Sequence, residues 1–195
     1  MKKSFAFILL LLTLAANPAF AAEGDAVVAD FNSAQMINNL GNVIEVWEKD
    51  NGADTTQSCK AGFVKDDALG NPEGQSLRLE YDVDSPNGAY NGARTELTGL
   101  DASGFTHLNF YLKGDAKTKF SPKLKIEMIG DTKVPSPYIV EGITGEWQKF
   151  TVPFSEFFAV RDWGNLDKFV IVFADITNKP KTGAIQIDQI YFSKE

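Results

Sequence analysis

Tyr90, Gly92, Arg94 and Glu96 recur at every second position and bring an aromatic ring, a gap, a guanidinium and a carboxylate into one short stretch. Alternation of this kind puts all four on one face of a strand. A ring in such a place covers the apolar C–H face of a pyranose while flanking polar groups bond its hydroxyls. Arg94 would make a charge-assisted bond either with Glu96, as an ordinary surface pair, or with an acidic sugar. Two further strings use the same residue types. Across 107–113, Leu108, Phe110 and Leu112 share one face, which leaves His107, Asn109, Tyr111 and Lys113 on the other; across 123–129, Lys125 and Glu127 oppose Leu124, Ile126 and Met128. If these strands are neighbours, Asn109, Tyr111 and Glu127 join Tyr90, Arg94 and Glu96 in one ligand-contacting set. Trp47 and Trp163 are further candidates, stacking from loops or strand ends. The plainer reading of the whole pattern is a solvated sheet face.

Asp188 poses a different problem, since it interrupts the alternating string Ile185-Gln186-Ile187-Asp188-Gln189-Ile190-Tyr191-Phe192. A carboxylate inside a strand needs a cation, a hydrogen-bond network or exposure on an edge strand. Other chemistry is thinly represented. Glu80, Glu96 and Glu127 are the acids from which a glycosidase pair would have to come. No Ser/His/Asp set, Cys/His dyad, glycine-rich phosphate loop or zinc spacing occurs, and His107 is the sole histidine.

The elements that must position these residues are strands. Periodicity predicts them over 26–32, 42–48, 76–83, 89–97, 107–113, 123–129, 147–153, 168–174 and 184–192, with a short one over 61–65. The near-continuous apolar run 168–174 reads as a central strand. Only 33–39 and 153–158 look briefly helical, the second with Ser155 as a cap. Short strands, Gly/Pro-rich turns and no long amphipathic helix predict an all-β antiparallel sandwich, a jelly roll. Residues 1–21 read as a secretory signal peptide: Lys2 and Lys3, an apolar run to Leu14, then Ala19-Phe20-Ala21. The single domain expected over 22–195 would be periplasmic or extracellular, with no membrane insertion. A net charge of −7, more negative once Lys2 and Lys3 are removed, disfavours nucleic acid. The lone Cys59 excludes an internal disulfide and is expected to be buried.

Nine segments in order carry a family resemblance. They are Ala29-Asp30-Phe31-Asn32, Asn38-Asn39-Leu40-Gly41-Asn42, Val46-Trp47, Leu79-Glu80-Tyr81-Asp82-Val83, Tyr90-Asn91-Gly92, Leu100-Asp101-Ala102-Ser103-Gly104-Phe105, the run from Leu108 to Gly114, Trp147 with Val152-Pro153-Phe154, and Ile187-Asp188 with Ile190 and Phe192. The chain resembles the calcium-dependent jelly-roll carbohydrate-binding modules of the galactose-binding-like fold, especially family 11 and the CIA30-type domains. That resemblance implies non-catalytic binding of a polysaccharide or oligosaccharide, through an exposed sheet face or at loop tips. It also implies a structural Ca2+ between the first and last strands, with Asp188 as the terminal ligand. Asn32 stands where such modules commonly carry an acid, and Asp30 is a possible substitute. An amide oxygen still binds calcium but brings no charge. Gly41-Asn42 replaces a usual Gly-Gly pair, and Asn tolerates the same backbone. The CIA30 likeness admits an alternative, an envelope protein-interaction or assembly factor on the same fold. A second alternative comes from Arg94-Thr95-Glu96-Leu97, which resembles a strand of jelly-roll alginate lyases. A lyase would need a base and an acid beside Arg94, so His107, the only histidine, or a tyrosine would have to converge on it.

Overall fold

The computed structural model describes residues 21–22, 24–65, 69 and 74–194, so the expected leader lies, apart from Ala21, outside the described residues. The strands are β1 (Ala26–Ala29), β2 (Ile44–Glu48), β3 (Ser58–Val64), β4 (Ser76–Asp82), β5 (Tyr90–Glu96), β6 (His107–Gly114), β7 (Lys123–Ile129), β8 (Pro135–Glu141), β9 (Gln148–Pro153), β10 (Lys168–Ala174) and β11 (Thr182–Ser193). One sheet runs β3-β4-β11-β6-β9 with β1 added to β11, and the other runs β2-β5-β10-β7-β8. Every strand pair is antiparallel. The result is the sandwich that the alternation predicts. Among the described residues no helix is long and apolar enough to cross a membrane.

Alternate residues of the two inner faces make the core. Leu77, Leu79, Leu108, Phe110, Leu112, Ile185, Ile187 and Phe192 from the first sheet bury against Leu124, Ile126, Met128, Phe169, Ile171 and Phe173 from the second. Tyr81 stacks on Phe173 across the layers, centroids 4.3 Å apart. Its hydroxyl stays satisfied, accepting the Ser121 N–H at 2.9 Å and donating to the Pro180 carbonyl at 3.2 Å. The run 168–174 is the centre of its sheet, as read from its unbroken apolarity.

Several boundaries differ from expectation for local reasons. β1 stops at Ala29 because Phe31 takes a left-handed backbone, φ 54°. β3 begins at Ser58, three residues before the expected strand, since Ser58, Cys59 and Lys60 carry little strand signal. β8 is wholly unanticipated because Pro135 and Pro137 argue against a strand. It lies at the edge of its sheet, where missing N–H donors are tolerated. Residues 33–39 form turns rather than a helix, tied by an Ile37–Val43 bridge. Ser155 lies inside a 3-10 turn (Phe154–Glu156) instead of capping one; the N-cap is Pro153, which has no side-chain bond to give. Cys59 is buried, and burial followed by the nearby Glu48 carboxylate pushes its thiol up to about 12.

Candidate functional site

The outer face of β2-β5-β10-β7-β8 gathers most of the anticipated residues. Cross-strand register sets two adjacent rows. Trp47, Gly92, Val172, Lys125 and Ile139 form one, and Glu45, Arg94, Val170, Glu127 and Pro137 the other. Tyr90 lies one step beyond the first row and Glu96, facing Lys168, one step beyond the second. The floor is the small, buried Val170, Val172 and Ala174 of the central strand. Gly92 has to be glycine: a Cβ there would lie 1.9 Å from the Ile171 carbonyl oxygen. Beside it the rings of Trp47 and Tyr90 meet at 5.9 Å and 58°, with Tyr90 45% exposed.

Three ion pairs lie on this face. Arg94 Nε meets Glu45 Oε2 at 2.9 Å, Lys125 Nζ meets Glu127 Oε1 at 2.9 Å, and Lys123 Nζ meets Glu141 Oε1 at 2.5 Å. Arg94 therefore pairs with β2, not with Glu96 of its own strand. Two open depressions flank the Arg94–Glu45 pair: one of about 310 Å³ bounded by Val43, Glu96 and Lys168, another of about 550 Å³ bounded by Trp47, Glu48 and Gly52. Aromatic edges, an apolar floor and rows of donors and acceptors with little net field suit a hydroxyl-rich ligand. Glu45 was missed in the sequence, although its parity with Trp47 in Ile44-Glu45-Val46-Trp47 places it on this face.

Asn109 and Tyr111 do not belong to the set. β6 and β7 lie in different sheets, so their outer faces point to opposite sides of the sandwich. Asn109 is fully buried, donating to Ser193 Oγ and accepting from Thr151 Oγ1, both at 2.8 Å. Tyr111 is 3% exposed and packs with Tyr191 and Leu69, flanked by Val27 and Trp147. The same geometry puts Arg94 and His107 in different sheets, so His107 does not stand beside Arg94. Trp163 is likewise a packing residue, stacked on Phe154 and edge-on to Phe157.

Asp188 is not on an edge strand. β11 is central, with β4 along its first half and β1 along its second, and Asp188 is 2% exposed. Its Oδ1 accepts the Gln189 N–H at 2.7 Å. Burial first, then the Asp30 charge, pushes its carboxyl up to about 7 against the Gln189 and Leu69 N–H groups, which lower it. Backbone irregularity accompanies both acids. Phe31 (φ 54°) follows Asp30, just after a register shift between β1 and β11, and Gln189 (φ 50°) follows Asp188, inside a register shift between β11 and β6. Asn32 is exposed, and its Oδ1 accepts the Gln75 N–H at 3.4 Å. Among the described residues no three acidic, histidine or cysteine side chains gather. Asp30, Asn32 and Asp188 are all oxygen donors, the type that a hard cation takes.

No family model and no curated protein matches the sequence. Solved structures do match in shape. A family 11 carbohydrate-binding module from Clostridium thermocellum, in complex with a β-1,3-1,4-mixed-linked tetrasaccharide, superposes with a TM-score of 0.64 at 15% identity, covering 89% of this chain and 97% of that one. The chain has the jelly-roll fold of a carbohydrate-binding module. A family 22 xylan-binding domain from Paenibacillus barcinonensis gives 0.52 at 12% identity over 89% of this chain and 97% of that one. An exo-β-agarase gives 0.60 at 11% identity; 87% of this chain covers 25% of the enzyme. At these identities the likeness is one of fold, and ligand and site rest on the residues themselves.

Proposed function

We propose that this chain is a periplasmic or extracellular, non-catalytic protein that binds a polysaccharide on the outer face of β2-β5-β10-β7-β8. The observation that carries this reading is the convergence of Trp47, Tyr90, Arg94, Glu96 and Glu127 on one solvent-facing surface. Of the modules that share its fold, one is in complex with a β-1,3-1,4-mixed-linked tetrasaccharide and another is a xylan-binding domain. Tyr90 and Trp47 supply the stacking surface, and the ion-paired rows supply hydroxyl partners. A structural calcium at Asp30, Asn32 and Asp188 belongs to the same proposal, supported by the charge of Asp30 acting on the buried Asp188 carboxyl of the closing strand.

Thermal unfolding against soluble polysaccharides, with calcium and with chelator, tests it. The expected result is a rise in Tm with one glycan class, since ligand at 100 Kd stabilises by about 2.7 kcal/mol. Tyr90→Ala removes that rise. A calcium response with no glycan response would move the reading to an envelope protein partner. That reading has its own observation: Val134, Ile139 and Phe158, 52%, 39% and 74% exposed, lie on or beside the edge strand β8 and the loop bonded to it.

A further inference from the structure

Lys49, immediately after β2, belongs to none of the rows above. Its Nζ donates to the Gly88 carbonyl at 2.7 Å and stands 5.8 Å from the centroid of the Tyr90 ring. The bond joins the segment after β2 to the turn that leads into β5. The same two segments are joined again by Asp54, which accepts Thr56 N–H at 3.0 Å, Ser85 Oγ–H at 2.9 Å and Asn87 Nδ2–H at 3.4 Å. Tyr90 thus meets a cation anchored to backbone and the Trp47 ring, yet remains nearly half exposed. A surface tyrosine otherwise samples several rotamers, and fixing one on binding weakens affinity.

We infer that Lys49 is a positioning residue: by its cation–π contact and its bond to Gly88 it holds the Tyr90 ring against Trp47 in the orientation that receives a sugar. This rests on the glycan reading of the face but adds a requirement on the free protein. With the ring held beforehand, stacking adds contact without ordering the side chain. The ammonium acts through Tyr90 and reaches no ligand itself.

Lys49→Met and Lys49→Arg test the inference, the first keeping the aliphatic stem and the second the charge. In the free protein, NMR cross-relaxation between the Tyr90 and Trp47 rings weakens in Lys49→Met and persists in Lys49→Arg. Titration with the polysaccharide that wild type binds gives about two- to five-fold weaker affinity for Lys49→Met, the scale of an exposed cation–π contact, and restoration in Lys49→Arg. Unchanged ring contacts in Lys49→Met overturn the inference whatever the binding result. Loosened rings with unchanged affinity overturn it too. Failure of wild type to bind any glycan sinks the face assignment instead, and the ring measurement still judges whether Lys49 holds Tyr90.

Discussion

The two sheets turn equally polar strings outward, and the strings end in opposite environments. On the face of β2-β5-β10-β7-β8 the outward residues reach solvent as ion pairs and a half-exposed ring. On the face of β3-β4-β11-β6-β9 those along β11 and the middle of β6 are covered: Asn109, Gln186, Asp188, Tyr111 and Tyr191 are all nine-tenths or more buried, while Glu80 of β4 and Lys149 of β9 reach solvent. Period-two alternation assigns a side chain to a face and says nothing about what lies over that face. An outward tyrosine is therefore a ligand platform on one sheet and a second small core on the other.

The largest expected effect comes from treating the two tyrosines alike. Tyr111→Ala removes a buried ring from the covered cluster and should lower unfolding free energy by about 3–5 kcal/mol. Tyr90→Ala should cost under about 1 kcal/mol yet weaken glycan binding about ten-fold or more. Urea unfolding and isothermal titration on both variants check this. Comparable stability losses would erase the contrast between the faces.

Asp188 sharpens the comparison through pH. Its folded pKa, about 7, lies above the ordinary 3.8. The folded state then holds a proton that the unfolded chain has released. Stability from this group is present below about pH 4 and is lost as pH rises through 7, on the order of 4 kcal/mol for the full shift. In chelator, stability should fall between pH 4 and 7, and Asp188→Asn should flatten that slope. In calcium the order reverses: wild type gains with rising pH as the carboxylate binds the ion, and the variant does not. A pH slope that ignores both calcium and the substitution would show that Asp188 does not titrate with folding.

What could be read from the chain follows from the range of the signals. Leu108, Phe110 and Leu112 declare β6, and the apolar run from Phe169 to Phe173 declares a central strand, because local alternation or its absence is the physics of burial. Which strands neighbour one another is a long-range property. Placing β6 beside β7 misassigned Asn109 and Tyr111, although the parity of each strand was right. Glu45 was recoverable from its parity with Trp47. Lys49 was not, because its contact to Tyr90 depends on a turn 39 residues away.

The smallest expected effect concerns the pairs that mark the open face. Arg94 and Glu45 are each about half exposed, 45% and 54%, so solvent and salt screen their attraction. Glu45→Ala should change stability by no more than about 1 kcal/mol, and 0.5 M salt should remove most of that. Its consequence for binding is more telling. Losing Glu45 leaves Arg94 without its partner, so the variant should gain affinity for a uronate polymer relative to a neutral one at low salt. Side-by-side titration of the two polymers against wild type and variant reads this directly. An unchanged preference would mean that Arg94 does not face the ligand, and the contact surface would then shrink to the Trp47–Tyr90 corner.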